Sequence, residues 1–347
     1  MNPQQLLNIH TQGRGLWAQG EPARASLPTT AQRRADMSEG EWVVSQVGHA
    51  TLWALRDPVS VMRRLPLLGK VRAIQSNGAV THELVGRYPV PNLRKGRQPV
   101  SRFIATSGLD VRLSVQDCYW MVLRQFRHRH WSLQFFNVYG QALHQIRSTP
   151  HSDFTAWQSL RDEMQDVSGW IPDFLTPMSA PPVVTLVPSW QDFRQQWMAK
   201  AAHYSLDQQF KNHAHERYSG LIQLGAPLAE PMAWPKLERL LLGAHARHLS
   251  LLVTAGQAGA VQRYAGPIDR LHAIPGGYYL QGKGFSLFID HEQMAEAFIL
   301  RQPGPLGELT AIEVYDQQQK LVLRIESADA VESSEPLEWR LLVDSLS

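Results

Sequence analysis

One pattern in this chain occurs twice. The segment WSLQFFNVYGQALHQIR (Trp131–Arg147) returns as LTAIEVYDQQQKLVLRI (Leu309–Ile325). Leu133, Phe135 and Val138 align with Ile312, Val314 and Gln317, and Phe136-Asn137 with Tyr315-Asp316. Leu143 and Ile146 align with Val322 and Ile325, at a constant offset of 179 (315 − 136). A second block, NGAVTHELVG (Asn77–Gly86), matches QAGAVQRYAG (Gln257–Gly266) at an offset of 180 (266 − 86). A third, GLDVRLSV (Gly108–Val115), resembles GKGFSLFI (Gly282–Ile289) with different spacing. Three blocks in one order indicate two copies of a single unit, and 347 residues suffice for two domains.

The copies open with helices. Thr30 is placed to cap AQRRADM, and Ser38 and Glu41 have capping-box spacing ahead of WVVSQVG. Asp57-Pro58 starts a helix with proline at its first position. The runs KVRAIQSN, AVTHELVG, DVRLSV, YWMVLRQF, WSLQFFNVY and QALHQIR read as strands separated by turns. SDFTAWQSLRDEM reads as a helix capped by Ser152 or Asp153, with Phe154, Trp157, Leu160 and Met164 on one face. The proline-rich stretch after it divides the chain into a first repeat at 1–170, a linker at 171–188 and a second repeat at 189–347. The second repeat opens with the helices SWQDFRQQWMAKAAHYSLDQQF and PKLERLLLGAHARH and turns to strands from LSLLVTAG. Hairpins with helices gathered at one end predict an α+β fold: two similar, large antiparallel sheet units with flanking helices.

Composition narrows the function. Hydrophobic residues at 44% and charged residues at 19% describe a globular chain. A formal charge of +3 without a dense basic tract argues against nucleic acid. A single cysteine, Cys118, excludes internal disulfides and suits a reducing compartment. The first residues lack an apolar signal region, and no run approaches the ~20 apolar residues of a spanning helix. The expectation is a cytoplasmic protein without membrane insertion. Walker-A, G-x-G-x-x-G, H-E-x-x-H and G-x-S-x-G motifs are all missing. Of 14 histidines, His128-Arg129-His130 reads as a solvated basic turn, and His245 with His248 as an exposed helix face. His82 and Glu83, in a strand, point to opposite sides.

The blocks LLGKVRAIQSNGAVTHELVGRY, GLDVRLSV, SLQFFNVYGQALHQI and SDFTAWQSL resemble the N-terminal half of the hemin-degrading factor family of Gram-negative bacteria. AVQRYAGPIDRLH, GFSLFI, FILRQPGPLGELTAIEVYD and EWRLLV are similar to its C-terminal pieces, so the resemblance spans about residues 30–347. It implies a cytoplasmic haem-binding protein of haem uptake and iron acquisition. Such a protein receives haem b (iron protoporphyrin IX) from an inner-membrane importer and passes it to a receiving protein or cleaves it. The resemblance leaves carrier and haem-degrading oxygenase open, and the residues name no catalytic acid or base. It also implies that haem sits in a cleft between a helix near the start of the second half and parts of both sheets.

The resemblance carries over residue by residue. Arg112 in LDVRL matches a family arginine, with Ser114 where an aromatic or apolar residue is usual. On the helix, Trp197 and Arg217 match the ends of the family pattern. Its axial histidine falls on Tyr204, beside His203, and His272 matches a basic residue after a turn. Phe193, Trp197 and Tyr204 share one helical stripe, while His203 points about 100° away. Imidazole binds iron readily, whereas tyrosine must ligate as a phenolate against a pKa near ~10. The expected set is therefore His203 on iron, Tyr204 as the alternative, and Arg112, Arg217 and His272 around the haem. The competing reading is an apo scaffold or interaction module that has lost haem, because the family histidine position holds tyrosine.

Overall fold

Local signals act where the sequence puts them. Ser38 and Glu41 close the capping box: the Ser38 N–H donates to Glu41 Oε2 at 2.6 Å and the Glu41 N–H to Ser38 Oγ at 3.2 Å. Asp57 caps Pro58–Arg64 by accepting from the Val59 and Ser60 N–H groups at 3.1 and 3.2 Å. Of the two candidate caps for Phe154–Met164, Asp153 serves, accepting from the Ala156 N–H at 3.0 Å. The Ser152 hydroxyl instead donates to the Lys70 carbonyl at 2.7 Å.

The computed structural model describes residues 38–44, 51–94, 100–103, 109–167, 171–175, 214–304, 307–328 and 334–346. The first repeat supplies α1 (Glu39–Val44), β1 (Leu52–Leu55), α2 (Pro58–Arg64), β2 (Gly69–Ser76) and β3 (Val80–Gly86). It continues with β4 (Asn92–Arg94), β5 (Val100–Phe103), β6 (Asp110–Ser114), β7 (Trp120–Arg127), β8 (His130–Phe136), β9 (Ala142–Ser152) and α3 (Phe154–Met164). The second supplies α4 (Ala214–Leu224), β10 (Ala229–Met232), α5 (Trp234–Ala246), β11 (Leu251–Gln257), β12 (Ala260–Gly266) and β13 (Arg270–Ile274). Then come β14 (Gly277–Gly282), β15 (Phe285–Asp290), β16 (Met294–Gly304), β17 (Gly307–Asp316), β18 (Leu321–Ser327) and α6 (Leu337–Asp344). The linker residues Ile171–Leu175 have no regular structure; 176–188, the expected helices at Thr30 and at 189–210, and with them His203 and Tyr204, lie outside the described residues.

The strands form two antiparallel sheets of nine, ordered β1-β7-β8-β9-β2-β3-β15-β14-β13 and β10-β16-β17-β18-β11-β12-β6-β5-β4. The orders are the same under exchange of the repeats, which bears out the duplication. They also show what the duplication alone did not: each repeat gives three strands to the other's sheet, through β3–β15 and β12–β6. The register corrects the third sequence match. Arg263 faces Asp110 while Glu83 faces Ser286, so Arg112 is equivalent to Phe288, two residues beyond the Ser286 that block alignment pairs with it.

The two sheets pack through β2–β3 and β11–β12, with apolar residues alternating inward, as in Val71, Ala73, Val253 and Ala255. Trp131 of β8, Trp157 of α3 and Trp339 of α6 are buried in the same continuous core. Polar side chains at the hairpin ends bridge the sheets. The Asn77 amide donates to the Gly256 and Val322 carbonyls at 2.9 and 2.8 Å. Gln257 answers from the other hairpin, donating to the Ala142 carbonyl at 2.6 Å. Gln262 donates to the His82 carbonyl at 3.0 Å. Gly259, at φ +92°, turns the second hairpin against the first sheet; a Cβ there would stand 2.8 Å from Asp117 Cβ.

Two histidines go inside. His82, on the inward face with Val80 and Leu84, and His144 are both held down to about 3 by burial and stay neutral. Tyr88 Oη lies 2.5 Å from His144 Nε2. His245 and His248 do not share a helix face, since α5 ends at Ala246 and His248 takes a left-handed φ of 52°; His248 is exposed as expected, while His245 Nδ1 meets the Ile268 carbonyl at 2.8 Å. Among the described residues no helix is long and apolar enough to cross a membrane.

Replacing Asn77 with alanine is expected to leave two carbonyls at the sheet junction without their donor, costing about 1–3 kcal/mol. Urea denaturation measures it. An unchanged midpoint would show that these bridges do not hold the sheets together.

Candidate functional site

The second sheet has an outer face that is neither apolar nor open to water. Along β17, Ile312 and Val314 enter the core, so Ala311, Glu313 and Tyr315 point outward. α4 covers them, laying Tyr218, Leu221 and Leu224 on Ala311, Tyr315, Phe298, Leu300 and Val261. Tyr218 stands edge-on to Tyr315 and Phe298 at 5.4 and 5.9 Å, which suits aromatic quadrupoles.

A charged row crosses this face. Direct pairing sets Glu313 beside Arg324, then Thr254, Arg263 and Asp110, on five adjacent strands. Glu313 is fully buried. Its Oε2 accepts from Arg217 Nε at 2.9 Å and from the Tyr315 hydroxyl at 2.6 Å. Its Oε1 accepts from Arg217 Nη2 at 2.6 Å and from Arg324 Nη1. Arg324 also reaches Glu326 Oε1 at 2.6 Å. Beside it, the Tyr218 hydroxyl donates to Glu296 at 2.6 Å, so consecutive residues of α4 bond the sheet below. Burial alone would raise the Glu313 carboxyl; the Arg217 and Arg324 guanidiniums and the bonds from Arg217 and Tyr315 hold it at about 2. Burial, then the Glu313 charge, pushes the Tyr315 phenol well up, so it stays a donor.

Of the residues expected from sequence, Arg112 and Arg217 lie on this same face, Arg112 on β6 and Arg217 reaching Glu313 of β17 from α4. Arg112, half-buried on β6, pairs with Val261, whose side chain packs in the α4 cluster. Arg217 is buried in the fork with Glu313. His272 is elsewhere: it is exposed on β13, the edge strand of the first sheet, opposite Tyr279. Glu313, Arg324 and Tyr315 escaped the sequence reading. The signal was present, as the single acid in TAIEV and the single base in LVLRI at facing hairpin positions.

This chain is thus a duplicated two-sheet α+β protein with a buried carboxylate clamped between arginines under a helix, a fold it shares with solved haem proteins. Apo-PhuS, a heme-binding protein from Pseudomonas aeruginosa, superposes with a TM-score of 0.80 at 23% identity, over 100% of this chain and 99% of its own. ChuS, an E. coli heme oxygenase, gives 0.77 at 20%, over 90% and 94%. The Hemin transport protein HemS of Yersinia enterocolitica is 26% identical over 309 residues, 88% of each chain. Residues 216–346 match the family described as Haemin-degrading HemS.ChuX domain, and residues 53–160 match Haem utilisation ChuX/HutX. These two matches and the relatives support a haem-utilisation family member.

The buried carboxylate predicts an acid limit. A Glu313 pKa of about 2 in the fold, below an unfolded value near ~4.3, makes its contribution complete above the unfolded value and lost as pH falls toward 2. Glu313→Gln should flatten the fall in urea midpoint between about pH 5 and 2. Glu313→Ala, which strands the two arginines, should cost about 3–5 kcal/mol at neutral pH. Equal pH slopes in the wild type and the glutamine variant would remove Glu313 from the acid response.

Proposed function

We propose that this protein is a cytoplasmic haem carrier of haem uptake, binding haem b as cargo on the outer face of the second sheet. The observation that carries the reading is that Arg112 and Arg217, the two arginines named by the haem resemblance, lie on that face, on β6 and α4, in a chain with haem-utilisation matches. Haem presents a flat apolar ring with two carboxylates at one edge. A guanidinium suits a haem carboxylate, because its planar donors match carboxylate geometry. These residues fit haem's chemistry. Iron is assigned to His203, with Tyr204 as the alternative, and His272 to the rim; all three assignments rest on the resemblance.

Relatives divide over the fate of the bound haem. HemS is named a transport protein and ChuS an oxygenase. For this chain the proposed role is delivery from an inner-membrane importer to a receiving protein, with release of iron by ring cleavage as an added activity. In cleavage the iron and oxygen supply the redox chemistry, and the protein supplies access and orientation. A cytoplasmic location accords with the lone cysteine.

Haem titration tests the reading. A saturable Soret band at one haem per chain supports it. Non-saturating adsorption would favour the scaffold that has lost haem. Loss of the native Soret position in His203→Ala alone assigns iron to His203, and loss in Tyr204→Phe alone assigns it to Tyr204. Arg112→Ala should weaken binding by about 1.5–3 kcal/mol through loss of a charge-assisted bond to a propionate. Unchanged affinity would move the propionate elsewhere.

A further inference from the structure

We infer that the junction between the two sheets is a binding site for internal water, formed by Gln75, His82 and Gln262. Gln75 and His82 are direct partners on β2 and β3 and share the inward face with Val71, Ala73, Val80 and Leu84. Gln262 lies on the inward face of β12 with Ala260 and Tyr264. Its amide donates across the gap to the His82 and Ala73 carbonyls at 3.0 and 3.5 Å. The three side chains are fully enclosed, at 1%, 0% and 0% exposure. Five of their polar atoms have no hydrogen-bond partner among the described residues: both amide atoms of Gln75, both ring nitrogens of His82, and Gln262 Oε1. Buried polar atoms are almost always bonded, to protein or to ordered water.

The donor set selects the ligand. Leu287 flanks His82 on β15, and Ala255 and Val111 flank Gln262 on β11 and β6. Alternation turns the charged neighbours Glu83 and Arg263 to the outer faces. Burial keeps His82 neutral, so its ring offers one donor and one acceptor; Gln75 adds both kinds and Gln262 an acceptor. An ion here would meet no opposite charge, whereas water both donates and accepts and typically makes about three such bonds. The repeats supply a control. At the offset of 180 (266 − 86), Asn77 corresponds to Gln257, His82 to Gln262 and Gln75 to Ala255. Asn77 and Gln257 each bond the opposite sheet directly. Of the next pair inward only Gln262 does so, and Gln75 stands beside His82 where the other repeat has a methyl group. Direct bonds at the hairpin ends thus give way to a water-bridged joint deeper between the sheets, and such bridges are nearly as favourable as direct bonds.

Water magnetic relaxation dispersion on the full-length protein counts internal waters of long residence. Gln75→Met and His82→Phe replace the polar ends with apolar groups and leave the Gln262 bridge in place. Each folded variant is expected to lose one or more of the waters counted in wild type. Loss in either supports the site, and an unchanged count in both overturns it. Should neither variant fold, a high-resolution crystal structure of the wild type decides. Water within hydrogen-bond distance of His82 and of the Gln75 or Gln262 amide supports the inference. A dry junction, or side chains bonded directly to one another there, overturns it.

Discussion

Everything in this fold depends on an exchange. Neither repeat owns a complete sheet, because each finishes its neighbour's with three strands through β3–β15 and β12–β6. Backbone hydrogen bonds along those joints leave β3 and β12 without open edges, which a sheet otherwise protects with charge or proline. The hairpin ends then lock the sheets crosswise, with Asn77 reaching the second and Gln257 the first. The strand Asp110–Ser114 joins the second sheet only through this exchange. Arg112 belongs to the first repeat by sequence and to the second sheet by structure.

The two sheets share a plan and differ in chemistry. On its outer side the first sheet pairs Gln134 with Gln145; beneath α4 the second offers Glu313, Arg324 and Tyr315. Duplication supplied a scaffold twice, and the buried Glu313–Arg324 pair stands where the first sheet has two glutamines.

The sequence made the fold legible because its signals are local and repeated. Caps at Ser38, Asp57 and Asp153, and the strand runs AVTHELVG and LSLLVTAG, each match their element. Strand exchange was not legible, since pairing between residues far apart leaves no mark in periodicity. For the same reason the block match misplaced Arg112 by two residues; strand register, set by cross-strand bonds, corrected it. The site was half legible. Family resemblance picked out Arg112 and Arg217, which share a face, whereas His272 lies on an edge strand of the other sheet. Glu313 was hidden because a lone acid among apolar residues acquires meaning only once Arg324 is known to stand opposite.

The exchange also imposes a schedule on synthesis. Leu84 pairs with Phe285, 201 residues later (285 − 84). At about 5–20 residues per second, the ribosome needs on the order of 10–40 s to deliver that partner. Through this interval the β3 edge of the nascent chain has no native neighbour, and unpaired edges recruit strands from other chains. Slow translation of residues 87–284 thus prolongs a sticky intermediate, and chaperone demand should track elongation rate more than final stability.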